Sequence, residues 1–190
     1  FYGYPQNDLF IIAITGTKGK TTTAYFADHI LAQSTADHIA LFSTLDRILG
    51  NKPEDKFKSD LTTPESLDLF HDMRVAVDNG MTHLVMEVSS QAYKKNRIYG
   101  LKYDVGIFLN ISPDHIGRNE HPTFADYLHC KEQLLVNSAK CLINAETEKF
   151  TDVYYTAKAT TQPEDIFFFA RRGANIELPD NAQIDFEYRN

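Results

Sequence analysis

The stretch LFIIAITGTKGKTTT, Leu9 to Thr23, decides the fold. Its first half, Leu9 to Thr15, is a short unbroken run rich in β-branched residues, the pattern of a strand buried on both faces of a parallel sheet. It leads directly into Gly16-Thr17-Lys18-Gly19-Lys20-Thr21-Thr22 and then into a helical stretch, Thr21 to Gln33. Strand, glycine loop and helix in that order let successive backbone amides turn toward one centre at a helix N-terminus and hold an anion there. In such a loop Lys20 reaches the outer phosphates of a nucleotide and the Thr21 hydroxyl can ligate Mg²⁺. A strict phosphate loop has a glycine where this chain has Ile14, so the match is to a shortened variant.

Strand candidates follow at Ile39–Thr44, His83–Ser89, Asp104–Asn110 and Cys141–Asn144, with a charged loop running through Lys58. Thr63-Pro64 predicts a helix with Thr63 as N-cap, Pro64 at its first position and Leu67, Phe70 and Val77 on one face, ended by Asn79-Gly80. Another helix is predicted from Thr123, with Asp126 as the reciprocal partner of a capping box. Strand–helix alternation over residues 9–145 argues a doubly wound, mostly parallel α/β sheet carrying the phosphate loop. Short aromatic strands at Val153–Thr156, Ile166–Ala170 and Ile184–Tyr188 predict a small antiparallel β extension over 150–190. The opening Phe1 and the Tyr/Pro/Asn-rich residues 1–8 read as a linker from a missing N-terminal domain.

Composition narrows the function. The 190 residues are 43% apolar and 24% charged, which fits one soluble domain and excludes disorder. Nineteen Lys+Arg against twenty-six Asp+Glu give a formal charge of −7, so a nucleic-acid partner is not expected and any anion must be held by a local device. No apolar run is long enough for a membrane span. The two cysteines, Cys130 and Cys141, match no zinc or redox spacing and fit packing roles in a reducing, cytoplasmic compartment.

Three further positions carry chemistry. Glu87 sits near the end of an apolar strand, where a buried carboxylate needs compensation, either by a Lys or Arg partner or by Mg²⁺. The carboxyl ends of strands in an open α/β sheet face the ligand crevice, which brings Asn110 and the Asp114-His115 pair to the same edge. Lys131 completes a helical stripe with Phe124, Leu128 and Leu135. On an apolar face it can snorkel outward, pair with an acid, or stand neutral and become modified, for example by CO₂ as a carbamate. The spacing alone leaves these readings open.

GTKGKTTT, LTTPESLDLF (Leu61–Phe70), MEVSSQAYKKNRIYGL (Met86–Leu101), FLNISPDHIG (Phe108–Gly117) and EHPTFADYLHCKEQLL (Glu120–Leu135) together resemble the central domain of the Mur ligases over residues 1 to about 145. The wording is most similar to members that add the third amino acid of the peptidoglycan stem, in their L-lysine-adding form. The resemblance implies that Gly16, Thr17, Lys18, Gly19, Lys20, Thr21 and Thr22 cradle ATP with Asn110 beside it. It implies Thr21, Glu87, His115 and Lys131 as ligands of two Mg²⁺, with Lys131 carbamylated, and Lys20, Lys131, Glu87 and His115 as the catalytic set. Thr62, Thr63, Ser89 and Arg97 match positions that hold a UDP-N-acetylmuramoyl dipeptide, whereas Lys94 and Lys95 stand where the family has more neutral residues.

The implied reaction is ATP-dependent amide formation through an acyl phosphate, by a monomer acting on the UDP-linked dipeptide and an amino acid. The family's C-terminal domain, which admits the amino acid, is not expected within this length, so these residues alone are expected to turn over little. Competing readings are a folylpolyglutamate or cyanophycin synthetase-like domain, a stand-alone P-loop phosphotransferase or switch, and a structural domain with no nucleotide site.

Overall fold

The computed structural model describes residues 1–114, 116, 117 and 120–189. The β-branched run ahead of the glycine loop is a strand, β1 (Phe10–Thr15), followed by α1 (Lys20–Ser34), β2 (Ile39–Phe42), β3 (Asp46–Ile48) and β4 (Lys56–Lys58). Then come α2 (Ser66–Asp78), β5 (His83–Glu87), α3 (Ser90–Lys94), β6 (Tyr103–Phe108), α4 (Phe124–Val136) and β7 (Ser138–Asn144). The chain ends with α5 (Phe150–Lys158), β8 (Ile166–Arg171) and β9 (Phe186–Tyr188).

One sheet runs in the order β4-β3-β2-β5-β1-β6-β7-β8-β9. β1 is central, and its Ile12 pairs in parallel with Val85 of β5 on one side and Val105 of β6 on the other. The chain fills one half of the sheet and then crosses to the other at β1, which is the topological switch where open α/β sheets bind ligands. Alternation along β1 explains the two layers. Ile12 and Ile14 pack beneath α1 with Ala24, whereas Ile11 and Ala13 join the core formed with α2, α4 and α5 through Leu69, Met73, Leu134 and Val153. Close helix–sheet contact requires Gly106 in β6, because a Cβ there would lie 2.1 Å from Ser138 Oγ and 2.7 Å from Leu134 Cδ2.

The α/β class and the parallel core agree with the sequence, and both cysteines are buried and free. The antiparallel strands lie elsewhere than expected. β3 and β4 form them at the opposite edge, inside the segment read as a charged loop. β8 and β9 instead extend the sheet in parallel. The predicted strand Val153–Thr156 is helical, since α5 buries Val153, Tyr154 and Ala157 on one face and provides the crossover between β7 and β8.

The helix caps also differ. Glu65, not Thr63, is the N-cap of α2, Pro64 precedes it, and Leu67 is 68% exposed rather than part of the buried face. Thr123 does cap α4 by accepting from Asp126 N, but the Asp126 carboxylate turns away to Lys94 and His121. Among the described residues no helix is long and apolar enough to cross a membrane.

Candidate functional site

The glycine loop caps α1 at the carboxyl end of β1. Gly19 takes φ 85°, a left-handed conformation that glycine adopts without the Cβ clash other residues meet. Gly16 is packed so closely that a Cβ would lie 3.0 Å from Leu109 Cβ and 3.2 Å from Lys18 O. Asn110 braces this curve from the next strand end. Its Oδ1 accepts from Lys18 N at 2.9 Å, its Nδ2 donates to Lys18 O at 3.0 Å, and its backbone oxygen accepts from Thr17 N at 3.0 Å. Thr17 Oγ1 adds contacts to Ser112 O and to the Tyr127 hydroxyl, 3.1 Å away.

Two lysines converge on this loop. Lys20 Nζ donates to Gly16 O at 2.9 Å, and Lys131 Nζ donates to the same oxygen at 2.7 Å from within the opposite core. Lys131 is 2% exposed, and its ammonium lies 4.9 Å from the centre of the Tyr127 ring. It therefore neither snorkels to solvent nor, among the described residues, forms an ion pair. Burial, with the Lys20 charge adding to it, pushes its pKa down to about 7. Burial also lowers the Lys20 pKa, against the attraction of Glu87 and Asp114.

Glu87, fully buried at the end of β5, is compensated by hydroxyls and an amide with Lys20 close by. Thr21 Oγ1 donates to its Oε2 at 3.1 Å, Thr44 N to its Oε1 at 2.8 Å, and Thr44 Oγ1 to its Oε2 at 3.0 Å. Thr21 and Glu87 together suit a hard cation. Octahedral Mg²⁺ with ligands at about 2.1 Å places neighbouring oxygens about 3.0 Å apart, close to the 3.1 Å between Thr21 Oγ1 and Glu87 Oε2. His115, the other ligand implied by the resemblance, lies outside the described residues.

The second group of expected residues adjoins Glu87. Thr62 Oγ1 is 3.0 Å from Thr44 Oγ1. Thr63, fully buried, donates to Glu87 O and accepts from Ser89 N at 3.0 Å, which is why its hydroxyl is not free to cap α2. Ser89 in turn caps α3 by accepting from Ala92 N. Arg97 donates to Thr63 O and pairs with Glu65 at 2.7 Å, while its buried Nε has no hydrogen-bond partner among the described residues. An arginine with a spare buried donor and an exposed, displaceable carboxylate partner is suited to receiving an anionic group.

Lys18 in the loop and Thr22 in the first turn of α1 are exposed. Sequence reasoning missed Thr44, Tyr127 and His121. Thr44 had a signal, because it ends a strand candidate on the ligand edge; Tyr127 and His121 had none short of the tertiary packing.

A central parallel strand that opens into a glycine loop at a helix N-terminus, with a buried glutamate ending the adjacent strand, defines an α/β domain of the phosphate-loop class. Residues 14–186 match the family model described as Mur ligase middle domain, and the chain belongs to that family. It is 76% identical over all 190 residues to the UDP-N-acetylmuramyl-tripeptide synthetase of Ligilactobacillus salivarius and 68% identical to that of Latilactobacillus sakei. It spans 37% of the length of each of these curated relatives.

Among solved structures, a UDP-N-acetylmuramoyl-L-alanyl-D-glutamate–2,6-diaminopimelate ligase superposes with a TM-score of 0.68 at 23% identity, covering 88% of this chain and 33% of that one. The ADP complex of Mycobacterium tuberculosis folylpolyglutamate synthase superposes at 0.56 with 18% identity, covering 90% and 44%. At these identities the two structures share the fold.

Proposed function

We propose that this chain is the nucleotide-binding domain of an ATP-dependent ligase that adds an amino acid, L-lysine, to UDP-N-acetylmuramoyl-L-alanyl-D-glutamate in peptidoglycan synthesis. The enzyme works in the cytoplasm as a monomer. The observation that carries this reading is the convergence of Lys20 and Lys131 on Gly16 O beside the Thr21–Glu87 oxygen pair. The two tripeptide synthetases that match along the whole chain supply the substrate class.

In this reading Gly16–Thr22 hold the ATP phosphates through backbone amides and Lys20, with Asn110 fixing the curve of the loop. The γ-phosphoryl passes to the D-Glu carboxylate, breaking the bond from the γ-phosphorus to the β–γ bridging oxygen and releasing ADP. The incoming amine then attacks the acyl carbon, phosphate leaves, and the nitrogen gives up a proton. Both partners of the first step are anions, so positioning and charge neutralisation dominate the barrier.

Thr21, Glu87 and His115 would hold Mg²⁺, and Lys131 as a carbamate would help hold a second ion. Bound there, the metal offsets the charge that accumulates between carboxylate and phosphate. Lys131 fits this assignment because burial holds its pKa at about 7, so near neutral pH a substantial fraction of the amine is neutral, the form that adds CO₂. Thr62, Thr63, Ser89 and Arg97 orient the UDP-linked dipeptide, Arg97 exchanging Glu65 for a substrate anion.

The test is phosphate release from ATP with the UDP-linked dipeptide and L-lysine. The 190 residues alone are expected to bind nucleotide but to release little phosphate, and robust lysine-dependent release from them would contradict the assignment.

A further inference from the structure

A polar cluster between α3 and α4, buried at Ser90 and His121 and open to solvent at Asp126 and Lys94, takes no part in the chemistry above. His121, fully buried, lies with Nε2 2.9 Å from Ser90 Oγ and Nδ1 2.6 Å from Asp126 Oδ2. Asp126 Oδ2 also accepts from Lys94 Nζ at 2.6 Å. A carboxylate only accepts, so Nδ1 carries the proton toward Asp126, and in the neutral ring the Ser90 hydroxyl donates to Nε2.

The order serine, histidine, aspartate is that of a hydrolase triad, but Ser90 is only 4% exposed, so its hydroxyl is not presented to an acyl substrate. His121, Asp126 and Cys130 also bring potential metal-ligating atoms within 4.8 Å of one another. The Lys94 ammonium already holds the Asp126 oxygen and repels a second cation.

The cluster instead joins the two halves of the site. On one side, Ser90 follows Ser89, whose amide is held by Thr63. On the other, the His121 ring packs edge-on against Tyr127 at 5.2 Å, and the Tyr127 hydroxyl reaches Thr17 in the phosphate loop at 3.1 Å. The same tyrosine ring lies against the Lys131 ammonium. Every member of this line except half-buried Ser89 is buried, so a shift at one end is transmitted through close packing.

We propose that His121 is a positioning residue that couples the Thr63–Ser89 side of the site to the phosphate loop, through Ser90 on one side and Tyr127 on the other. Its consequence for ligand binding rests on the nucleotide reading above; its geometry does not.

The test uses two variants that each delete one hydroxyl and spare the buried ring, Ser90→Ala and Tyr127→Phe, alone and combined. In amide nuclear magnetic resonance spectra without nucleotide, Ser90→Ala should move the Thr17 signal, and that movement should vanish in the Tyr127→Phe background. Calorimetry with MgATP should show each single variant weakened within roughly 2- to 30-fold, with the double variant no weaker than the poorer single one. An unmoved Thr17 signal, or affinity losses that multiply, would overturn the coupling. If the unaltered chain binds no MgATP, the nucleotide reading fails on its own and the Thr17 signal still decides the coupling.

Discussion

Lys20 and Lys131 donate to one and the same oxygen, the carbonyl of Gly16, at 2.9 and 2.7 Å. One lysine comes from the first turn of α1 and the other from the middle of α4 on the opposite side of the sheet. Two amines share one neutral acceptor, Lys20 and a Lys131 whose pKa of about 7 leaves it only part-protonated near neutral pH, and the attraction of Glu87 and Asp114 for Lys20 offsets part of the positive charge. Such an arrangement favours an incoming polyanion over water.

Lys131 should respond to both pH and CO₂. Its pKa of about 7 in the folded chain lies below the ordinary 10.5, so the unfolded chain binds more protons between those values and stability rises with pH across that window. Urea unfolding should therefore show the advantage of Lys131→Met over the unaltered chain shrinking from pH 7 toward pH 10.5. With ¹³C-bicarbonate a carbamate signal should grow as the amine loses its proton and be absent from Lys131→Arg; a signal persisting in that variant would place the carbamate elsewhere.

Glu132, the next residue, titrates in the opposite sense. Burial, with Asp152 adding to it, raises its pKa to about 7, so the folded chain holds a proton that the unfolded chain releases above about 4.5. That contribution is fully present below pH 4.5 and is lost as pH rises through 7. Glu132→Gln should melt a few degrees above the unaltered chain at pH 8, with the difference gone near pH 4.

Gly106→Ala should destabilise by about 1–3 kcal/mol, because the new methyl meets Ser138 Oγ and Leu134 where α4 turns into β7. Urea unfolding measures this directly, and an unchanged midpoint would mean that the helix end can shift at no cost.

Glu87→Gln keeps the shape of the side chain but removes the charge that suits a cation. Nucleotide affinity measured with and without Mg²⁺ should differ in the unaltered chain and converge in the variant. An undiminished effect of Mg²⁺ would remove Glu87 from the metal site.

The parts of this site that rest on local order were legible in the sequence. Strand, glycine loop and helix are contiguous, and Lys131 was visible as a charge in an apolar stripe. Its target was not visible, because Gly16 lies 115 residues away in the chain and no local pattern encodes that meeting. Thr63 showed a cap signature, yet its hydroxyl is taken by Glu87 O and Ser89 N, a tertiary use that overrides the local one.

The tail misled through propensity. Val153-Tyr154-Tyr155-Thr156 reads as strand by residue type, but burial of Val153, Tyr154 and Ala157 along one face makes it the helix α5. Without that crossover helix the following strands looked antiparallel, and with it β8 is parallel to β7.

In the proposed nucleotide site at Gly16–Thr22 the decisive cation is Lys20. Calorimetric titration of the 190-residue chain with MgATP, beside Lys20→Ala, tests it most directly. Saturable binding by the unaltered chain, weakened by roughly 100-fold or more in Lys20→Ala at a similar melting temperature, is the predicted result. Equal affinity in the two proteins, or no binding by either at millimolar MgATP, would contradict it.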